Sequence, residues 1–463
     1  MKGAVIYSEN KERAAEVCSF LGAKLAAEMK LRKYEELDVG ALDCYDYIAV
    51  EWSLRNRLVL PLMHMNNHVG IVFFNEMFIA DIDVTSEMEI QLENALESKD
   101  YATCKGINEF FLFADIIRKH SVLKSRPSVL QVESTDLCNA KCIMCTHVYD
   151  SGTGIKILES GLIERLEPIL PFVKAIILHG NGEPFMTKNI VSYLEQFSEF
   201  GIKFLSNTNV SILDEELLNI FHESFVELSV SCDGYDKESY EAIRVGLCFE
   251  TFVANCKRVR AKCPQLYMKM AVVVMRQNLG HLDKILAFAY ELGFNEVDFN
   301  QLCVDEKLGN VKDDPYLYKE KYVEAIKSIQ DMADALPIKV SIPALSHGDD
   351  PESRRNLTPE GPFVKGLCDW IAGQAFINLH GDMAICCINQ KIIMGNVFRQ
   401  SIEEVWNCGR YRDLRQCLYT GRLPTFCSGC DFLLQNRMRF MRAEHDITFE
   451  QLKKAQMRQG GAS

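Results

Sequence analysis

The sequence lacks the features that would direct it to a membrane, to secretion or to a nucleic acid. Its 463 residues contain no apolar run of the roughly 18–20 residues that a spanning helix requires. Residues 1–7 include one Lys but not the long apolar region of a secretory signal. Lys and Arg total 51 against 64 Asp and Glu, so the formal net charge is −13. The sequence also has no basic stretch, and both features disfavour binding to a phosphate backbone. We therefore expect a cytoplasmic protein that binds neither nucleic acid nor membrane.

Phosphate-binding glycine motifs, internal repeats and low-complexity tracts are also missing. Without G-x-G-x-x-G or a P-loop, the sequence carries no signature of a nucleotide held by its phosphates. The remaining composition is ordinary for a globular chain, with 48% hydrophobic and 25% charged residues. At roughly 150 residues per domain, the length predicts about three domains.

Cysteine is the exception, with 18 residues in a chain expected to be cytosolic. Cytosolic thiols stay reduced, so metal binding or redox chemistry is a better interpretation than a disulfide framework. The triplet Cys138-x3-Cys142-x2-Cys145 is informative by itself, because three Cys at fixed offsets arise by chance only about 0.03 times in such a chain. The late pair Cys427 and Cys430 is informative only in company with other cysteines.

The N-terminal part of the chain alternates between strand and helix patterns. Apolar runs predict strands over 4–7, 46–50 and 69–74, and the periodicity over 12–29 predicts a helix. This alternation is typical of a small α/β domain, which we assign to residues 1–98. Residues 86–120 have a helical pattern, and the stretch 99–126 is predicted to connect this domain to the next, with Pro127 at the boundary.

From residue 127 the alternation becomes regular and predicts a parallel sheet. The predicted strands are 129–133, 174–178, 202–205, 226–230, 268–274 and 296–300. The predicted helices lie near 160–168, 188–199, 214–223, 236–260 and 281–292, with another over 316–336. Right-handed crossovers would wind this series into a partial (β/α)6 barrel over residues 127–335. Chemistry in such barrels lies at the carboxyl ends of the strands, which is where the cysteine triplet begins.

Three thiolates leave one ligand position open. A Cys-ligated [4Fe–4S] cluster normally uses four thiolates, so three imply one iron with an open site, and an open site is a catalytic feature of metal centres. Zinc is the alternative, because His147 follows Cys145 by two residues and would complete a Cys3His set. Counting ligands does not separate the two.

The triplet, placed just after the first strand of a β/α series, resembles that of the radical S-adenosylmethionine (SAM) superfamily. The resemblance covers about residues 127–305. It implies that Cys138, Cys142 and Cys145 hold a [4Fe–4S] cluster whose fourth iron is chelated by the amine and carboxylate of SAM. It also implies that an electron from the cluster cleaves SAM, and that the 5′-deoxyadenosyl radical then removes a hydrogen atom from the substrate. The protein would supply binding and orientation, while the cofactors carry the chemistry.

Two loops after the next strands resemble SAM-binding motifs of the same superfamily. Gly182 and Glu183 match the end of its Gly-Gly-Glu motif, which meets the methionine amine, although Asn181 replaces the first glycine. Asn209 belongs to a turn similar to the family's Thr-Asn turn. Met144 stands where many members have an aromatic residue, and its polarizable side chain preserves an apolar contact for adenine.

The fourth strand and the helix after it supply the other expected SAM contacts. Ser229 and Ser231 share one face of that strand, where members of the family place polar groups toward the ribose and the methionine. Arg244 resembles an arginine that pairs with the methionine carboxylate, for which a planar fork is suited. The other interpretation of Arg244 is a solvated helix residue.

The C-terminal cysteines resemble the SPASM/twitch extension of the superfamily. That pattern opens with a Cys, continues with Gly-x4-Cys, here Gly381 to Cys386, and closes with further Cys. The resemblance implies one auxiliary [4Fe–4S] cluster within residues 363–435, followed by a tail over 436–463. Its expected ligands are Cys368, Cys386, Cys427 and Cys430. Cys387 is an alternative to its neighbour, and zinc is the alternative metal.

The resemblance implies an enzyme rather than a single reaction. We expect dehydrogenation or a related redox change of a small polar or carbohydrate-like substrate, with a flavodoxin- or ferredoxin-type reductant. Radical modification of a ribosomal peptide is the alternative, although residues 1–95 lack a winged-helix pattern. A non-catalytic iron–sulfur electron carrier is the alternative of another class. Asp298, Asp305 and Glu306 lie near the end of the sixth strand, and solvated carboxylates are the alternative interpretation of all three, so no proton acceptor is assigned.

Overall fold

The described residues form two β-sheets that are joined by helices. The computed structural model describes residues 4–7, 29–32, 47–51, 70–74, 79–81, 86–145, 160–304, 308–342, 368–420, 424, 426 and 427. None of the helices within these ranges combines the length and apolar composition that crossing a bilayer would require.

Five short strands form the N-terminal sheet. They are β1 (Ala4–Tyr7), β2 (Met29–Arg32), β3 (Tyr47–Glu51), β4 (Gly70–Phe74) and β5 (Ile79–Asp81). Their order is β2-β1-β3-β4-β5, and all neighbours are parallel except β5, which runs antiparallel to β4. The strands predicted here are β1, β3 and β4. The helix predicted over 12–29 was wrong at its end, because Met29 begins β2, and the rest of it lies outside the described residues.

Two helices, not one, connect the sheets. They are α1 (Ser86–Glu97) and α2 (Tyr101–Ile117). The helical pattern over 86–120 breaks at Lys99, whose φ of 56° is left-handed and cannot continue a right-handed helix. Asp100 then begins the second helix by accepting a hydrogen bond from the backbone N–H of Thr103 at 3.1 Å.

Helix α2 is a core element rather than a loose linker. Phe110 and Phe113 are fully buried in it, and burial of such rings is a main source of stability. The Asn108 amide exchanges two hydrogen bonds with the backbone of Arg126, at 3.0 Å and 2.8 Å. The chain therefore enters the second sheet from a fixed position.

The second sheet has ten strands. They are β6 (Val129–Val132), β7 (Ala175–Ile177), β8 (Lys203–Thr208), β9 (Phe225–Ser231), β10 (Tyr267–Val274), β11 (Glu296–Gln301), β12 (Lys339–Ser341), β13 (Gln374–Ile377), β14 (Asp382–Ala384) and β15 (Ile393–Asn396). The order is β12-β11-β10-β9-β8-β7-β6-β13-β14-β15. The strands from β6 to β12 are parallel neighbours, which confirms the predicted parallel α/β sheet and its six predicted strands.

The C-terminal region extends this same sheet. Strand β13 pairs with β6 in parallel, and β14 and β15 follow as an antiparallel hairpin extension. The remaining α-helices are α3 (Ser160–Leu166), α4 (Ile190–Ser198), α5 (Glu215–Ser224), α6 (Lys237–Ile243), α7 (Phe249–Lys262), α8 (Leu282–Glu291), α9 (Lys319–Ala333), α10 (Asp369–Ala372), α11 (Ile402–Trp406) and α12 (Gly409–Tyr419). The helix predicted over 236–260 was wrong in its middle. It divides into α6 and α7 because Gly246 adopts a φ of 95° between them.

One face of β9, β10 and β11 is polar, unlike the opposite face. On β10, Met268, Met270, Val272 and Val274 alternate into the core and are fully buried. The other face carries Glu227, Ser229 and Ser231 of β9, Lys269 of β10, and Glu296 and Asp298 of β11, and is called the polar face below. Register aligns Lys269 with both Ser229 and Glu296.

Candidate active site

The predicted cysteine triplet lies on the loop that follows β6. Cys138 is exposed, while Cys142 and Cys145 are half-buried. Burial raises the pKa of the Cys138 and Cys142 thiols, and the Arg244 guanidinium opposes this effect at Cys142. The backbone N–H of Ala140 donates to the Cys138 sulfur at 3.5 Å, which is a contact that favours a thiolate ligand.

The loop is held in place by backbone bonds to the break between α6 and α7. The N–H of Lys141 donates to the carbonyl of Val245 at 2.7 Å, and the N–H of Ile143 donates to that of Ile243 at 3.1 Å. The division of the predicted helix therefore creates the edge against which the cysteine loop rests.

The glycine loop after β7 is bonded to the same cysteine loop. The N–H of Gly182 donates to the Thr135 carbonyl at 3.2 Å, and the N–H of Glu183 donates to the Leu137 carbonyl at 2.8 Å. A Cβ at Gly182 would lie 2.5 Å from the Leu137 carbonyl oxygen and 2.6 Å from that of Thr135. Only glycine allows the two backbones to approach this closely.

Asn181, the departure from the expected glycine, has a partner of its own. Its backbone and side-chain N–H groups both donate to Glu133 Oε1 at 3.1 Å. Glu133 also fills the space beside Gly180, where an added Cβ would lie 2.4 Å from its Cγ. The sequence analysis did not identify Glu133. The only signal in the sequence was an acidic residue at the end of a largely apolar predicted strand.

The Glu183 carboxylate faces inward rather than toward solvent. It is 3% exposed and accepts hydrogen bonds from the Thr208 hydroxyl at 2.5 Å and from the Asn209 N–H at 2.7 Å. Burial raises its pKa to about 7, although these bonds oppose the shift. The side chain thus positions the turn after β8. Contact of the Gly182–Glu183 segment with a methionine amine stays a prediction.

Asn209 links the turn after β8 to the cysteine loop. Its side-chain N–H donates to Asn139 Oδ1 at 2.9 Å, and its Oδ1 accepts from the N–H of Ser211 at 2.9 Å. The next residue, Val210, has a φ of 53°, which is a strained conformation for a β-branched residue. Such strain persists only where surrounding contacts fix the turn, as the Asn209 bonds do here.

Arg244 is buried at the end of α6 and is not a solvated helix residue. Its side chain is 11% exposed, and its Nε lies 2.5 Å from Oδ2 of the fully buried Asp233. Its Nη1 donates to the Cys142 sulfur at 3.6 Å. Burial alone would lower the pKa of Arg244, but the Asp233 carboxylate and the Cys142 thiolate raise it above the usual value. Asp233 also accepts a hydrogen bond from the Val273 N–H at 2.7 Å.

Ser229 and Ser231 lie on the polar face, as their alternation predicts. Ser229 is buried and Ser231 is half-buried. On the same face, Lys269 Nζ lies 3.1 Å from Glu227 and 4.0 Å from Asp298. Lys269 was not predicted, and its signal was a charge within the apolar strand sequence YMKMAVVV. Asp305 and Glu306 lie outside the described residues.

Three of the C-terminal cysteines act electrostatically on Tyr411 of α12. Burial raises the pKa of Tyr411 above its usual range, and the nearby Cys408, Cys386 and Cys368 thiolates add to the shift. Cys408 lies outside the expected ligand set, and its thiolate acts on the same tyrosine as two of the expected ligands.

A separate loop contact connects Cys386 with Cys427. The Asn389 N–H donates to the Cys386 sulfur at 3.3 Å, and the Asn389 side chain donates to the Phe426 carbonyl, beside Cys427, at 3.3 Å. Cys430 and His147 lie outside the described residues. The sulfur donors at both cysteine sites are soft ligands that can bind iron or zinc. The backbone N–H groups that donate to Cys138 and Cys386 would stabilise the negative charge of metal-bound thiolates.

Comparisons with known proteins agree with this division into two cysteine sites. The radical SAM superfamily matches residues 132–289, and SPASM, an iron–sulfur cluster-binding domain, matches residues 368–431. A probable GTP 3′,8-cyclase from Sulfurisphaera tokodaii is 25% identical over 214 residues, which is 45% of this chain and 66% of that protein. The mycofactocin maturase MftC from Mycolicibacterium smegmatis is 24% identical over 319 residues, 66% of this chain and 78% of that protein.

Two solved structures share the fold. SuiB from Streptococcus suis, bound to S-adenosylmethionine, is 15% identical with a TM-score of 0.51, and the match covers 82% of this chain and 87% of SuiB. Native anSMEcpe with bound AdoMet is 17% identical with a TM-score of 0.50, covering 71% of this chain and 95% of the other.

We expect Gly182→Ala to destabilise the protein. The added methyl group would meet backbone oxygens of the cysteine loop, which cannot swing aside, and such overpacking costs about 1–3 kcal/mol. Urea denaturation measures the change in the free energy of unfolding. Gly280→Ala is the matched control, because a Cβ there meets nothing within 4 Å. A Gly182→Ala variant as stable as the control would contradict the close approach.

We also expect Glu183 to make stability depend on pH. Its pKa is about 7 in the folded chain against an ordinary 4.5, so between these values the folded state holds a proton that the unfolded chain has lost. Stability conferred by this proton is therefore lost as the pH rises through the window. Glu183→Gln cannot ionise, so the wild type should lose on the order of 3 kcal/mol relative to it between about pH 5 and about pH 8. Denaturation of both proteins across this range gives the difference, and a constant difference would contradict the assignment.

Proposed function

From its membership of the radical SAM superfamily, with a SPASM domain over residues 368–431, we propose that this chain reductively cleaves SAM and removes a hydrogen atom from a small polar or carbohydrate-like substrate. The two domains imply a [4Fe–4S] cluster with SAM and an auxiliary iron–sulfur site. The observation that carries the proposal is the loop with three thiols, bonded through its backbone to the turns after the neighbouring strands. Those turns are where a cofactor of such a barrel would lie.

Cys138, Cys142 and Cys145 are the proposed ligands of the first cluster. When bound, the cluster and SAM supply reductive cleavage and hydrogen-atom removal, and the auxiliary cluster supplies an acceptor for one electron. The protein's part is to hold three sulfurs on one loop and to leave a fourth position for a ligand. Arg244 supports the middle sulfur, because its Nη1 donates to Cys142 while Asp233 fixes its Nε.

The SAM-contacting groups are proposed on the same strand ends. Gly182 offers backbone that a ligand can approach, and Glu183 fixes the turn that carries Asn209. Ser229 and Ser231 provide hydroxyl groups from β9. Arg244 has five N–H donors, and the bonds to Asp233 and Cys142 leave Nη2 for a carboxylate.

The auxiliary site is proposed at Cys368, Cys386, Cys427 and Cys430. Four thiolates complete a [4Fe–4S] cluster and leave no iron open to substrate, so electron transfer is its proposed role. Asn389 supports this set, because it bonds to the Cys386 sulfur and to the Phe426 carbonyl. Zinc at these cysteines is the alternative, which metal analysis separates.

A small polar substrate is favoured by the polar face. The polar face that carries Ser231 also carries the charged groups of Lys269, Glu227 and Asp298. Such groups can form hydrogen bonds with hydroxyl or amino groups of a ligand. The cyclase among the relatives acts on a small nucleotide by its name. Oxidation of the substrate would release one hydrogen atom, one proton and one electron. Asp298 is the proposed proton acceptor, and a flavodoxin- or ferredoxin-type protein is the proposed reductant for SAM cleavage.

Peptide modification is the second candidate. MftC is a maturase, and SuiB has been solved with its precursor peptide SuiA. The N-terminal sheet weakens this candidate, because its four parallel strands differ from a winged-helix peptide-binding domain. Both candidates use the same SAM chemistry, so the substrate must be tested separately from the cleavage.

We expect Cys142→Ala to abolish SAM cleavage. The purified chain is reconstituted anaerobically with iron and sulfide, reduced with dithionite and supplied with SAM. The wild type should form 5′-deoxyadenosine and hold about eight irons, and Cys142→Ala should form none and hold about four. Iron, zinc and nucleoside are quantified together.

Cys248→Ala is the control for this experiment, because Cys248 is exposed and lies outside both cysteine sites. It should match the wild type in iron and nucleoside. Cleavage retained by Cys142→Ala would contradict the ligand assignment. Full iron content without nucleoside in the wild type would favour the electron carrier, and zinc in place of iron would favour a structural metal site.

We expect the substrate to be found among small molecules. An extract of cells grown in heavy water is divided into low-molecular-mass and peptide fractions, and each is incubated with the reconstituted enzyme. Deuterium removed from the substrate appears in 5′-deoxyadenosine and is detected by mass spectrometry. Transfer from the small-molecule fraction is the expected result, whereas transfer only from the peptide fraction would overturn the proposed substrate class.

A further inference from the structure

Arg415 of α12 is a fully buried cation with an unusual set of partners. Its Nε donates to the Ile371 carbonyl at 2.6 Å and its Nη2 to the Trp406 carbonyl at 2.7 Å. Its Nη1 donates to the Ser121 carbonyl at 3.0 Å and to Asn407 Oδ1 at 3.2 Å. Among the described residues, none of the atoms that bond Arg415 belongs to a carboxylate.

The acidic side chain that acts on Arg415 makes its hydrogen bonds to other residues. Asp115 acts on Arg415 electrostatically, but its two oxygens bond to His120 at 3.0 Å and to the N–H of Ser125 at 2.9 Å. A buried charge without an ionic partner is costly. Burial lowers the pKa of Arg415 to about 10, so the guanidinium still carries its charge near neutral pH.

Two of the residues that bind Arg415, Ile371 and Trp406, belong to segments that contain C-terminal cysteines. Ile371 closes a turn by donating its N–H to the Cys368 carbonyl at 3.2 Å. Trp406 precedes Cys408 by two residues, and its ring lies 4.8 Å from the Arg415 guanidinium carbon. The cation therefore contacts the backbone of both segments.

The third segment is reached through Tyr411. Its ring centre lies 5.2 Å from the Arg415 guanidinium carbon, and its hydroxyl donates to the Ala384 carbonyl, two residues before Cys386, at 3.4 Å. The Cys408 thiolate acts on both Tyr411 and Arg415. Arg415 is thus fully buried and contacts residues in or bonded to the three segments that carry Cys368, Cys386 and Cys408.

We propose that Arg415 is the built-in counter-charge of the auxiliary cluster and raises its reduction potential. This inference rests on the proposed function, since it requires the SPASM cysteines to hold iron–sulfur. A cluster with four thiolates carries net negative charge, and each added electron increases it. A fixed cation in a low-dielectric site favours the reduced state, and charge near a cluster is one of the factors that set its potential.

The test is a redox titration of full-length, reconstituted protein with Arg415→Met and Arg415→Lys. Cys142→Ala is added to each so that one cluster alone gives the electron paramagnetic resonance signal. Arg415→Met should lower the ratio of reduced to oxidised cluster at least tenfold at a fixed ambient potential, which is about 59 mV for a one-electron couple. Arg415→Lys keeps the charge and should stay close to the parent at neutral pH.

Arg412→Met is the matched control, because it removes the same charge from an exposed position on the same helix. It should leave the midpoint unchanged, since solvent and salt screen that charge. Equal shifts in Arg415→Met and Arg415→Lys would indicate a purely structural role and overturn the proposal. So would an unchanged midpoint in Arg415→Met with full iron content.

A second measurement covers the case in which Arg415→Met does not fold. A lysine at this position would be faced by Asp115, Tyr411, Tyr419 and Cys408, and burial lets it lose its proton at a lower pH than arginine. The midpoint of Arg415→Lys should therefore fall with rising pH more steeply than that of the parent. Parallel pH profiles would overturn the proposal. Failure of the parent to assemble the cluster would instead refute the proposed auxiliary site.

Discussion

The site depends on one close backbone contact, that between Gly182 and the cysteine loop. The loop after β6 has little regular secondary structure, so its shape must come from bonds to its neighbours. The N–H groups of Gly182 and Glu183 meet the carbonyls of Thr135 and Leu137, and only a residue without a side chain fits there. The turn after β8 is fixed in turn through the Glu183 carboxylate. The loops after β6, β7 and β8 are thus bonded to one another, and these bonds fix the positions of the three thiols.

Buried charge is handled differently at the two cysteine sites. At the first, Arg244 is paired with Asp233 and reaches Cys142 with its other nitrogen, so its charge is largely compensated within the protein. At the second, Arg415 is surrounded by carbonyl oxygens and aromatic rings. Carbonyl dipoles offset part of the desolvation cost but carry no net charge. A pair of this kind leaves its surroundings nearly neutral, whereas among the described residues no carboxylate bonds directly to Arg415, and Asp115 acts on it without a direct bond.

The parallel sheet was predictable because short strand patterns alternate regularly with helical periods along the chain. The cysteine triplet was predictable because its spacing is improbable by chance. The division between α6 and α7 had a local signal in Gly246, because glycine readily adopts the positive φ that ends a helix, and it was missed. Lys269 was missed for a different reason, since its cost within a strand is offset by Glu227 from another strand. The hydrogen bond between Asn181 and Glu133 was also unpredictable from local sequence, because the two residues are 48 positions apart. Long-range partners decide these last two features, and local patterns do not contain them.

The pairing of β13 with β6 joins the two cysteine-bearing regions in one sheet. Phe376 and Ile377 align with Gln131 and Val132 at the end of β6, and the N–H of Glu133 continues the ladder to the Ile377 carbonyl at 3.0 Å. The cysteine loop and the SPASM region therefore begin from the same pair of strands. The ladder therefore fixes where β13, and the cysteine-bearing segment after it, begins relative to β6.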